Sequence, residues 1–148
     1  MSERKYNVSI VISQFNKKIV DGLLSGAKSA FEANNGKKLA VYKVPGAFEI
    51  PSVVKKVALE TKPDAIVTLG AIIKGETKHF EYISSACTNG ILDLSLKLDL
   101  PILFGVLTTE TVDQAIKRST TNNKGYEVMD AAFDMIKVFK DIESSLGK

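Results

Sequence analysis

The segment Lys74-Gly75-Glu76-Thr77-Lys78-His79 places the chain's one histidine shortly after a glycine turn. Histidine ordinarily titrates near neutral pH, so it suits general acid–base chemistry. Gly75-Glu76-Thr77 has the form of a small anion nest at the start of a helix, where backbone N–H groups are free to meet a negative charge. The segment is not a P-loop, because the P-loop spacing and its Lys-Ser/Thr pair are missing, and no Gly-x-Gly-x-x-Gly occurs. A nucleoside triphosphate or dinucleotide is therefore disfavoured, and a single phosphate fits. A lone histidine is more often a surface or core residue than a catalyst. The adjoining nest shifts that balance toward chemistry.

Arg118 is one of two arginines, the other being Arg4, while lysine supplies the positive charge elsewhere. An arginine at one ordered site suits bidentate recognition of phosphate or carboxylate. The plainer reading is a charge that stabilises a helix C-terminus. Phe15 stands where turns prefer small polar residues, so it either stacks on a flat heteroaromatic ligand or covers the sheet edge. Asn16 either bonds a ligand or caps the next helix, and capping is the stronger reading for it in isolation. Gly46 permits close approach of a ligand or a positive φ. Glu49 in a first helical turn suits the macrodipole without further function. Cys87 and Phe104 read as core.

These residues must be positioned by strands and helices. Apolar residues at both parities over 7–13, 39–44, 65–73 and 101–107 read as strands buried on both faces. Helical spacing links Ile19, Leu23, Leu24, Ala27 and Phe31, a helix ended by Asn34-Asn35-Gly36. It recurs in Ile50, Val53, Val54, Val57 and Ala58, and again in Phe80, Ile83, Cys87, Ile91 and Leu94. A short helix spans 111–118, with Asp113 in its first turn. A polar loop follows over 119–125. Val128, Ala131, Ala132, Met135, Ile136 and Phe139 carry the last helix. Strands alternating with helices, without a hairpin signal, predict a parallel sheet with helices on both faces. All strand C-termini then share one edge, so residues 14–16, 45–49, 74–79 and 108–110 converge there, where ligands of such sheets bind.

The 148 residues suffice for one domain over 1–148, with residues 1–6 expected as a flexible tail. A hydrophobic share of 45% and a charged share of 25% are those of a soluble globular protein. The net charge of +3 comes without a basic block carrying interleaved aromatics, which argues against nucleic acid. One cysteine cannot form an internal disulfide and fits a reducing compartment, the cytoplasm. One His and one Cys are too few for a metal site. The polar start and the short apolar run after it resemble neither a signal peptide nor a membrane span.

Four co-linear blocks resemble the 6,7-dimethyl-8-ribityllumazine synthase family. They are Ser13-Gln14-Phe15-Asn16, Val44-Pro45-Gly46-Ala47-Phe48-Glu49-Ile50-Pro51, the run from Gly70 through His79-Phe80-Glu81-Tyr82, and Phe104-Gly105-Val106-Leu107-Thr108-Thr109-Glu110 continuing to Arg118. The resemblance implies a flavodoxin-like three-layer α/β/α sandwich with a four-stranded parallel sheet. It implies a transferase condensing 5-amino-6-(D-ribitylamino)uracil with 3,4-dihydroxy-2-butanone 4-phosphate, in the penultimate step of riboflavin biosynthesis. No metal and no organic cofactor are implied. The expected partners are the two substrates, further copies of the chain in a homopentamer or a multiple of pentamers, and riboflavin synthase.

By the same resemblance, Phe15 stacks on the pyrimidine, and Asn16 with the backbone of Gly46, Ala47, Phe48 and Glu49 holds the ribityl chain. Ile72 and Ile73 line the ring pocket. The amides of Gly75, Glu76 and Thr77 grip the phosphate, and His79 moves protons. Phe104 and Arg118 come from the neighbouring subunit, with Arg118 on the phosphate.

The chain departs from the family pattern in places. Lys74 stands where many members carry arginine, and Glu76 where a small residue is usual. The loop after Arg118 is short, which leaves Lys124 a secondary candidate. A short segment before the first strand favours a free pentamer or a pair of pentamers over a 60-subunit shell. Three other readings remain open: a non-catalytic lumazine- or flavin-binding scaffold, an archaeal-type riboflavin synthase, and a generic flavodoxin-like binder of a phosphorylated ligand. His79, Arg118 and the 75–77 turn argue against the first, and the phosphate nest argues against the second.

Overall fold

The computed structural model describes residues 5–75 and 79–146. Four strands, β1 (Asn7–Ser13), β2 (Lys38–Val44), β3 (Ala65–Ile73) and β4 (Ile102–Thr109), form one parallel sheet in the order β2-β1-β3-β4. Among the described residues, five helices accompany them: α1 (Lys17–Ala33), α2 (Ile50–Thr61), α3 (His79–Lys97), α4 (Val112–Arg118) and α5 (Lys124–Leu146). A 3-10 turn at Ala47–Glu49 precedes α2. The order is that of a flavodoxin-like sheet, with the reversal of direction falling between β1 and β3. The expected α/β/α sandwich is thus the one adopted.

The layers follow from the crossovers. The step from β1 to β2 runs one way along the sheet, and the later steps run the other way. Right-handed crossovers therefore put α1 on one face and α2 and α3 on the other. Two cores result. Ile10, Ile12, Val67 and Leu69 meet α1 and α5 through Leu23, Ala27, Met129 and Phe133. The rings of Phe31 and Phe133 close that core, tilted 54° at 5.9 Å between centroids. Val11, Ile66 and Val106 meet α2 and α3 through Ile50, Val54, Cys87 and Ile91. Both faces of β1 and β3 are covered, which is why their sequences lack alternation.

Element ends differ from expectation at several points, among them the starts of β4 at Ile102 and of α4 at Val112, each one residue later than expected. β2 begins at Lys38 and β4 runs on to Thr109, because Asn7↔Lys38 and Ile73↔Thr109 are paired in register. The polar loop expected over 119–125 is shorter, since α5 already starts at Lys124. Asn123 starts that helix, its Oδ1 accepting from the Tyr126 N–H at 3.0 Å. Asn34-Asn35-Gly36 ends α1 as expected, with Asn35 in the left-handed region at φ 56°. Gly36 leaves room for the Phe31 ring, which a side chain there would strike.

Candidate active site

The switch between β1 and β3 opens a cleft at the strands' C-terminal edge, of about 230 Å³. Phe15 and Asn16 line it from the β1–α1 turn, and Ala47 from the 3-10 turn. Ala71, Ile72, Ile73 and Gly75 line it from the end of β3, and His79, Phe80 and Ile83 from α3. Residues separated by more than sixty positions therefore share one crevice because parallel strands end together.

Phe15 is 69% exposed, and its ring forms part of the cleft wall at the sheet edge. The turn that presents it is unusual. Asn16 adopts φ 60°, ψ 58°, the left-handed region in which asparagine is among the best-tolerated side chains. Its Nδ2 donates to the Ala71 carbonyl at 3.1 Å, tying the β1 loop to β3. Asn16 does occupy the position before α1, but its side chain makes no capping bond there. The capping expectation is corrected: only its backbone carbonyl serves the helix, accepting from Ile19 and Val20.

Gly46 is extended, φ −146°, so the positive-φ alternative does not hold. Its role is space. A Cβ there would lie 3.1 Å from Glu49 Oε1 and 3.5 Å from the Phe15 ring. Glu49 closes the 3-10 turn and sits just before α2, not within the first turn of a longer helix. It is half-buried, and Phe48 beside it is exposed. Lys74 lies 4.0 Å from Glu110, an exposed pair joining the ends of β3 and β4. Glu76 and Thr77, expected in the anion nest, lie outside the described residues.

Two expected residues stand apart from this cleft within the chain. Phe104 lies in β4 opposite Thr68 and is half-buried against the α2/α3 core, so the plain core reading holds only in part. Arg118 ends α4, donating to the Asn122 carbonyl at 2.8 Å and to Glu127 Oε2 at 3.1 Å. Lys124 donates to the other oxygen of Glu127 at 3.2 Å. These two cations, Arg118 first, hold the Glu127 carboxyl below its ordinary value of 4.5. Glu127 is a residue that sequence reasoning missed. The available signal was its spacing, three positions after Lys124 on a helix. Cys87 is fully buried, as expected of a core residue, and burial pushes its thiol up to about 11.

A parallel sheet in the order β2-β1-β3-β4, with an aromatic ring, two isoleucines and an imidazole lining a cleft at its switch point, defines a flavodoxin-like α/β protein. A family model described as 6,7-dimethyl-8-ribityllumazine synthase matches residues 5–140. Proteins with that same name are similar to the chain. One from Chlorobium phaeovibrioides is 47% identical over 137 residues, covering 90% of this chain and 88% of its own length. One from Campylobacter jejuni subsp. doylei is 45% identical over 139 residues, covering 91% and 90%. One from Chloroherpeton thalassium is 42% identical over 146 residues, covering 96% and 94%. A de novo designed Rossmann-fold protein superposes with a TM-score of 0.42 at 17% identity, over 75% of this chain and 91% of that one. The chain belongs to the 6,7-dimethyl-8-ribityllumazine synthase family.

Proposed function

We propose that the chain condenses 5-amino-6-(D-ribitylamino)uracil with 3,4-dihydroxy-2-butanone 4-phosphate to 6,7-dimethyl-8-ribityllumazine, phosphate and water, the penultimate step of riboflavin biosynthesis. One observation carries this beyond family membership: Phe15, Ile72, Ile73 and His79 line a single cleft. An exposed ring and two isoleucines suit the flat faces of a pyrimidine. The ribityl chain lies along Asn16 and the backbone of residues 46–49. The amides of Gly75, Glu76 and Thr77 take the phosphate.

The chemistry asks little of the protein beyond placement. The 5-amino nitrogen attacks the ketone carbon, and the resulting hydroxyl leaves as water once protonated. A proton beside the new imine is then removed as phosphate departs, and the enol left behind becomes a ketone. The ribityl-bearing nitrogen attacks that ketone and closes the ring with loss of a second water. His79, at the mouth of the cleft, gives and takes these protons. Positioning supplies most of the acceleration.

The site is shared between subunits. Phe104 and Arg118 do not line the cleft of their own chain, and Arg118 completes the phosphate site of a neighbour. A cleft of about 230 Å³ is smaller than the ~300–1,000 Å³ of a complete ligand pocket, in keeping with a half-site. Leu59 on α2, and Tyr82, Leu92 and Leu96 on α3, are more than half exposed and suit burial between copies of a homopentamer. Residues 1–148 act as one domain, in the cytoplasm, and deliver the lumazine to riboflavin synthase.

The direct test mixes the purified chain with both substrates and follows lumazine absorbance and phosphate release against a protein-free control. Parallel production of both, well above the control, is expected. Tight binding of lumazine without acceleration would instead identify a binding scaffold.

A further inference from the structure

We propose that Asn123 is a positioning residue for Arg118: it locks the turn between α4 and α5 onto α1 and thereby presets the guanidinium that meets the phosphate. The inference rests on the reading above, in which Arg118 binds that phosphate.

Asn123 uses both ends of its amide. Nδ2 donates to the Gly22 carbonyl at 2.9 Å and to the Ser119 carbonyl at 3.0 Å. Oδ1 accepts from the Tyr126 N–H at 3.0 Å. One half-buried side chain thus joins α1, the end of α4 and the first turn of α5. The fit requires missing side chains. A Cβ on Gly26 would collide with the Asn123 amide, one on Gly22 with the Ser119 carbonyl, and one on Gly125 with the Leu23 carbonyl. Gly22 and Gly26, one helical turn apart on α1, form the seat, and Gly125 lets α5 approach it.

The seated turn carries the charges. Arg118 immediately precedes Ser119, and Lys124 immediately follows Asn123. Arg118 is also bonded to the Asn122 carbonyl, the neighbour of the clamp. With so short a connection between α4 and α5, the placement of Arg118 depends on where residues 119–123 rest. An anion-binding group displaced by about 1 Å loses much of its effect, so fixing the turn sharpens the site. The chain itself thereby offsets the shortened loop.

The test is steady-state kinetics on Asn123→Ser, which keeps an uncharged helix-capping oxygen and removes both Nδ2 donations. The expected result is a rise of about three- to tenfold in KM for the butanone phosphate, the scale of one or two hydrogen bonds. KM for the pyrimidine and kcat stay within about twofold. Inhibition by inorganic phosphate weakens by the same factor as KM. In an Arg118→Ala background, Asn123→Ser adds nothing. Gly26→Ala fills the seat while leaving the Asn123 side chain intact, and by displacing that amide it reproduces the pattern by a second route. If Arg118→Ala leaves KM for the butanone phosphate unchanged, the phosphate reading of Arg118 fails, and the role of Asn123 with it. If Arg118→Ala raises that KM while Asn123→Ser and Gly26→Ala do not, only the role of Asn123 falls. Equal loss on both substrates that persists without Arg118 would make Asn123 a stability residue and overturn the proposal.

Discussion

Arg118 Nη2 stands 3.1 Å from Glu127 Oε2, so the cation assigned to the phosphate is already paired with a carboxylate of its own chain. Lys124 holds the second oxygen of that carboxylate at 3.2 Å. Two positive groups and one negative group leave a net positive cluster, oriented before any ligand arrives. The price is a competitor for the anion, modest because Glu127 is about half exposed to solvent.

This pairing has a pH signature. The carboxyl of Glu127 lies below its ordinary value of 4.5 in the folded chain, because Arg118 and then Lys124 favour its ionised form. A depressed carboxyl contributes stability that is fully present above the unfolded value and is lost as pH falls through the folded one. The stability difference between the native chain and Glu127→Gln should therefore be constant above about pH 5 and shrink below about pH 4. Urea unfolding at a series of pH values measures it. A difference that holds unchanged down to pH 3 would mean that the cations do not engage Glu127 in solution.

Asn16 supports two features at once, a left-handed backbone and a bond to Ala71, and substitutions separate them. Glycine accepts φ 60° freely but has no amide to donate, so Asn16→Gly should cost about 1 kcal/mol, the net value of a hydrogen bond. Alanine loses the bond and also strains the backbone, so Asn16→Ala should cost about 1 kcal/mol more. Chemical denaturation gives both values. Equal costs would show that the turn relaxes out of the left-handed region when the side chain is cut.

Cys87 should resist alkylation while the chain is folded. Its side chain is fully buried, and burial moves the thiol from 9.0 to about 11. The thiolate is the reactive form, so this rise cuts its population at about pH 8 roughly a hundredfold, before steric closure is counted. Mass spectrometry after a short iodoacetamide pulse should find the folded protein unlabelled and the denatured protein labelled. Rapid labelling under native conditions would place the thiol at a surface and contradict the core packing of α3.

The uneven legibility of the chain has a physical pattern. The bounds of β1 and β3 are readable from apolar runs, because those strands are covered on both faces. Lys38 and Thr109 were not readable as strand, since register pairing, and not hydropathy, adds them to the ladder. Convergence of Phe15, Ala47, Ile72 and His79 follows from parallel topology alone. The Asn16 amide was misread because its partner, Ala71, is 55 positions away. Local rules see the helix that follows an asparagine and not the strand beside it. Glu127 and Asn123 escaped for the same reason: their importance lies in the seating of one turn against the Gly22–Gly26 face of α1. The family resemblance placed Phe104 and Arg118 in a neighbour's site, an assignment that no pattern within one chain could supply.

His79 lines the cleft together with Phe15, Ile72 and Ile73, at the start of the described part of α3. Its expected contribution is proton movement and not substrate binding. His79→Ala should therefore lower kcat about ten- to a hundredfold and leave both KM values nearly unchanged. The effect sits at the low end for a positioned acid–base group because an amine and a ketone held together react readily and phosphate is a competent leaving group. Steady-state rates from lumazine absorbance decide the point, with phosphate release measured in parallel. An unchanged kcat would assign those protons to water, leaving placement by Phe15 and the phosphate site as the whole of the catalysis. A rise in KM for the butanone phosphate at constant kcat would instead make His79 part of the anion site, extending the expected nest of Gly75, Glu76 and Thr77 by one more donor.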